Sequence, residues 1–149
     1  MTGQTGMVVA YITNGRRLLV FRHKAYPEAG IQVPAGTIEL GELPESAVLR
    51  EAFEESGLKK LELAAYLGQT QHHNPSLQGD RLMVRHYFHL LHRGPVMESW
   101  RHWEQDPAQG EPDVYEFELY WVNAPGDIPQ LAGGLGALLA EIDWDSLPA

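Results

Sequence analysis

Glu51, Glu54 and Glu55 are the residues of this sequence whose types and spacing most readily do chemistry. On a helix turning about 100° per residue, positions three and four apart fall within one arc, so all three carboxylates would share a face. Pro44 through Ser56 reads as that helix. Pro44 suits the first turn, Glu45 favours the positive end of the dipole, and Gly57 fits a left-handed C-terminal cap. Leu43 stands where Ser, Thr or Asp would normally cap the helix, and nothing in the sequence accounts for it. Val48, Leu49, Ala52 and Phe53 occupy a broadly opposite arc, able to face a core. Crowded carboxylates repel one another and weaken a helix. A positive partner is therefore expected, and Arg50 at one flank cannot neutralise three acids alone. Hard divalent cations take oxygen ligands, which makes Mg²⁺ the fitting partner, with Mn²⁺ able to substitute. The bland alternative for any Glu-Glu pair is a solvated acidic face.

The surroundings argue against the bland reading. From Gly36 the sequence runs GTIELGELPESAVLREAFEESGL. It resembles the signature of the Nudix (MutT-like) hydrolase family, Gx5Ex7REUxEExGU with U apolar. Gly36, Glu42, Arg50, Glu51, Glu54, Glu55, Gly57 and Leu58 all fall in register. Seven of these positions demand one residue type; at about 6% each, a chance match at a given start is on the order of 10⁻⁹. Ala52 is smaller than usual at its place but still apolar. The resemblance implies an α/β (α+β) fold, an α/β/α sandwich in which a mixed sheet carries the box as a loop–helix–loop. It implies Mg²⁺-dependent hydrolysis of a diphosphate bond in a nucleoside diphosphate linked to another group X. Metal ligands carry over onto Glu51, Glu54, Glu55 and the main-chain carbonyl of Ala35. Arg50 resembles the arginine that orients the box carboxylates, with Glu42 as its partner, and Arg22 resembles a strand-end basic residue that contacts phosphate. The general base varies in the family: Glu54, or a carboxylate from a later loop, for which Glu111, Asp113 and Glu104 are the candidates. Gly36 and Gly57 read as backbone residues that permit turns at either end of the box. Trp is frequent two residues before the entry Pro34; here that position is Gln32. The alternatives are a non-catalytic Nudix domain that binds a nucleotide-like ligand as a regulator, and an acidic helix that merely braces a metal.

The elements that must position this helix are read from periodicity. Met7–Thr13 and Arg16–Arg22 are apolar, β-branched-rich runs separated by Asn14-Gly15, which predicts a hairpin closed by a type I′ turn. Ile31–Val33 is a short apolar piece ending at Pro34-Ala35-Gly36, the entry to the box. Leu61–Gln71 and Arg81–His92 read as strands. In Val114–Val122, Phe117, Leu119 and Trp121 alternate with Glu116, Glu118 and Tyr120. Arg93–Asp113 reads as an irregular insertion, and Gln130–Ile142 as a last helix weakened by Gly133, Gly134 and Gly136.

His86, His89 and His92 are spaced by three on a predicted strand, so His89 faces away from the other two and the set suits no single metal. The tandem His72-His73 pair diverges for the same reason. Tyr26, Trp100 and Trp103, read as loop residues, are placed either to stack on a base or to pack the insertion. Pro75 lies at roughly the distance from the box seen in ADP-ribose-type members of the family. The chain reads as one domain over residues 1–149, too short for two of ordinary size. A net charge of −9 repels nucleic acid polymers and anionic membranes; the resemblance implies a small nucleotide-like diphosphate as partner, and a homodimer is compatible. No stretch is long and apolar enough to span a membrane, the N-terminus lacks a secretion signal, and cysteine is absent, so the expected location is cytoplasmic.

Overall fold

The computed structural model describes residues 3–76, 79–105 and 114–148. Among the described residues, strands β1 (Gly3–Asn14), β2 (Arg17–His23), β3 (Ala35–Thr37), β4 (Leu61–Ser76), β5 (Gly79–His92), β6 (Ser99–Gln105) and β7 (Val114–Asn123) accompany one α-helix, α1 (Pro44–Ser56). They form a single mixed sheet ordered β4-β5-β1-β2-β7-β6, with β3 paired to β1. The β1–β5 pair is parallel and the rest are antiparallel. This is an α+β fold.

The β1–β2 hairpin forms as expected, but its turn is not the one predicted. Asn14 pairs with Arg17, so the loop residues are Gly15 and Arg16. Of the two, only Gly15 has a positive φ, 61°. A single positive φ at the first central position is the type II′ pattern, which also matches strand twist. Beyond that turn the two strands part. β2 pairs along its length with β7, and β3 takes its place against β1, with Gly36 opposite Val8. The split opens the sheet where the predicted box begins.

Alternation assigns the faces. Val8, Ala10, Ile12, Leu19, Phe21, Phe88, Leu90, Phe117 and Leu119 point to one side and bury Ala47, Val48 and Ala52 of α1. Of the predicted apolar arc, Val48 and Ala52 are buried and Leu49 packs against the same cluster, while Phe53 is 47% exposed. Val9, Tyr11, Leu18, Val20 and Tyr87 point to the other side, under Leu131, Leu135, Ile142 and Trp144.

No α-helix forms over Gln130–Ile142. Short 3₁₀ turns, Ala132–Gly134, Leu139–Glu141 and Trp144–Ser146, take its place. Gly133 and Gly134 adopt φ of 62° and 74°, a left-handed conformation that ends any right-handed helix. The Tyr11 hydroxyl donates to Leu135 O (2.5 Å), and Arg85 Nη1 donates to Gly133 O (2.6 Å), pinning the turns to the sheet. The far layer of the expected sandwich is thus made of turns.

Two more differences concern residues 93–113. Ser99–Gln105, read as irregular, is strand β6, paired with β7 from Ser99 opposite Tyr120 to Gln105 opposite Val114. Its two tryptophans are three residues apart and fall on opposite faces among polar residues, so no apolar face forms and periodicity in hydrophobicity missed it. Trp100 and Trp103 accordingly lie on a strand.

Candidate active site

The C-terminal half of α1 carries the acids, and Arg50 gathers them. Its Nε and Nη2 donate to the two oxygens of Glu42 at 2.8 and 2.9 Å, a bidentate pair. Nη1 donates to Glu51 at 2.8 Å and reaches Glu54 at 3.4 Å, while Nη2 also donates to the Thr37 carbonyl at 3.1 Å. One guanidinium therefore links the loop before the helix to two of its acids. The hydrogen bonds from Arg50 and from the Glu39 N–H hold the Glu42 carboxyl down at about 2.

Gly36 acts differently from the sequence reading. It lies in β3 and is not among the glycines with positive φ. A Cβ built there would fall 2.0 Å from the Glu51 carboxyl carbon. Its role is room: the backbone of β3 passes directly under a carboxylate that Arg50 holds still. Gly57 does adopt the left-handed cap, φ 77°, and its N–H donates to Phe53 O.

Glu55 sits deepest, 7% exposed, with Oε1 accepting the Ala35 N–H at 2.8 Å. Burial pushes its carboxyl well above the usual range, and the charges of Glu104, Glu51 and Glu54 add to that, outweighing the Ala35 hydrogen bond. Burial also raises Glu51, against the pull of Arg50. Glu104, on β6, joins this site. Oxygens of Glu51, Glu54 and Glu104 lie within 4.8 Å of one another, the group among the described residues able to hold a metal ion. Four carboxylates at one place, two of them raised by burial, form an all-oxygen set short of positive charge. That donor set fits a hard divalent cation.

β6 also touches the end of α1. Trp100 Nε1 donates to Ser56 O at 2.9 Å, and His102 Nε2 lies 2.8 Å from Glu54 O. Sequence reasoning missed His102. The signal was the two-residue spacing of Trp100, His102 and Glu104, visible only once a strand is assumed.

The remaining candidates lie elsewhere. Arg22 follows Phe21 and so points to the face away from α1, where it pairs with Glu118 at 2.8 Å. Glu111 and Asp113 lie outside the described residues, and so does the side chain of Pro75. His89 is buried against Thr13 Oγ1 at 2.8 Å, and His86 contacts the Tyr66 hydroxyl at 2.9 Å. No histidine belongs to the metal-holding group among the described residues. A cavity of about 630 Å³ is lined by His23, Lys24, Tyr26, Trp103, Tyr115 and Glu116, and Tyr115 pairs with Glu104 across β6 and β7.

Known proteins resemble the chain as follows. The NUDIX domain family matches residues 4–131. A MutT NUDIX hydrolase from Burkholderia pseudomallei is similar at 25% identity and TM-score 0.58, covering 93% of this chain and 98% of that one. A NUDIX family hydrolase from Clostridium perfringens shares the fold at 19% identity and TM-score 0.54, covering 97% and 99%. So does a bifunctional NMN adenylyltransferase/ADP ribose pyrophosphatase from Francisella tularensis, at 18% identity and TM-score 0.54, with 94% of this chain matched to 41% of that one. No curated protein sequence matches the chain.

Proposed function

Because this chain belongs to the NUDIX family, we propose that it is a Mg²⁺-dependent hydrolase cleaving the diphosphate bond of a nucleoside diphosphate linked to a further group. The observation that carries this reading is the convergence of Glu51, Glu54 and Glu104, with Glu55 behind them and Arg50 bridging Glu51 and Glu54. Glu51, Glu54, Glu55 and the Ala35 carbonyl would hold the cation, and Glu104 extends the set. When bound, Mg²⁺ supplies positive charge that offsets the acids and stabilises charge developing on the diphosphate oxygens.

The chain's own residues do the rest. Of the three helix acids Glu51, Glu54 and Glu55, Glu54 is the most solvent-exposed, its side chain 42% exposed against 12% for Glu51, so it reaches the attacking water and accepts its proton. Arg50 keeps Glu51 and Glu54 from drifting apart. The cavity that Tyr115 lines takes the nucleoside, whose flat base fits between Tyr26, Trp103 and Tyr115.

The test is incubation with Mg²⁺ and ADP-ribose, dinucleoside polyphosphates, nucleotide sugars and nucleoside triphosphates, with products identified by mass. Turnover of at least one is expected, and Glu54→Gln should lower kcat by roughly 10²–10⁴-fold. Tight binding without hydrolysis across the panel would instead mark a regulatory nucleotide-binding domain. If Glu104→Gln loses activity while Glu54→Gln keeps it, the base is on β6.

A further inference from the structure

A helix ends with carbonyls that have no partner inside it. At the end of α1 the Phe53 carbonyl takes the Gly57 N–H at 2.8 Å, the ordinary cap. The carbonyls of Glu54 and Ser56 instead take side chains of another strand, His102 Nε2 at 2.8 Å and Trp100 Nε1 at 2.9 Å. A carbonyl only accepts, so His102 carries its proton on Nε2. The imidazole also lies close against Gly57, where an added Cβ would come within 3.0 Å of Nδ1 and Cε1.

Trp100, His102 and Glu104 alternate along β6 and so share one face. The first two grip the helix end, and the third enters the acid group with Glu51 and Glu54. The acids of α1 repel Glu104. The two side-chain hydrogen bonds from β6 oppose that repulsion. We propose that Trp100 and His102 are positioning residues: they fasten β6 to the carboxylate end of α1, so that Glu104 stands among the box acids before a cation binds. The proposal rests on the metal site named above and adds what assembles it.

The test uses Mn²⁺ alone as probe, its free concentration followed by electron paramagnetic resonance, on the full chain. Trp100→Phe keeps the ring and loses the N–H; His102→Ala loses the donor; Glu104→Gln loses the charge. Each of the first two should fold, by circular dichroism, and weaken Mn²⁺ binding about tenfold or more, the range for residues that orient ligands. His102→Ala added to Glu104→Gln should cost little further, because both act through the same carboxylate. His102→Gln, which retains a side-chain N–H, should recover part of the loss. Affinity within twofold of wild type in both single variants, or losses that add fully, overturns the proposal. Amide hydrogen exchange over residues 54–58 separates it from the metal reading. If wild type holds no Mn²⁺, the metal site falls; faster exchange in His102→Ala then still supports the clamp, and unchanged exchange ends it.

Discussion

Arg50 meets Glu42, Glu51 and Glu54 at once, and the quality of each contact differs. The Glu42 pair is bidentate and short, the Glu54 contact long and half-exposed, so Arg50 is anchored on the loop side and lends its remaining donors to the helix. The consequence for Glu42 has a definite sign. Its folded carboxyl titrates at about 2, below the ordinary value, so the pair's stability is present above that ordinary value and is lost as pH falls through about 2. Melting temperature followed across this acid range should fall for the wild type, and Glu42→Gln should flatten the part of the slope that belongs to this residue. An unchanged slope would mean that Arg50 does not hold Glu42 in solution. The salt bridge was legible in the sequence because a family signature spaces Glu42 and Arg50. Its bidentate geometry was not, since that depends on how the loop over residues 37–43 folds back.

At the scale of elements, α1 was readable almost to the residue, from Pro44 to the Gly57 cap. Local signals sufficed there: ring-locked φ, a positive-φ glycine, and apolar positions one turn apart. β3 and β6 were not readable, because each is defined by what it lies beside. β3 is three residues long and exists through its pairing with β1. Its glycine shows the cost of reading backbone roles from type alone, since Gly36 makes room for a carboxylate. Gly36→Ala must displace either β3 or Glu51. The expected outcome is weaker Mn²⁺ binding by an order of magnitude or so, with the fold retained, as for other shells that orient a ligand; titration of the variant checks it. The C-terminal turns taught the converse. Apolar spacing over Gln130–Ile142 suits a helix, but Gly133 and Gly134 take left-handed φ and the backbone bonds to Tyr11 and Arg85 instead.

For the whole molecule, the net charge of −9 and the buried Glu55 set stability against function. Burial and three neighbouring acids raise the folded pKa of Glu55 above its unfolded value. Its contribution is therefore full below the unfolded value and is lost as pH rises through the folded one, leaving a strained site at neutral pH when no cation is bound. Glu55→Gln should raise the melting temperature in EDTA at pH 7 and remove part of the rise that Mg²⁺ or Mn²⁺ produces in wild type. Cation binding at a hundred times Kd stabilises by about 2.7 kcal/mol, enough for calorimetry to resolve. A melting temperature lowered by the substitution in EDTA would show that Glu55 is structural first. The sequence by itself determined the family, the helix and the grouping of three of the four acids of the candidate site, because these are encoded within 23 consecutive residues and a helix brings such neighbours together without outside help. Tertiary structure decided the rest. Glu104, His102 and Trp100 lie more than forty residues from the acids and carbonyls they meet, and what joins them is the pairing of β6 with β7 at the sheet's edge. Strand pairing of that range depends on the whole sheet order, which no local spacing records.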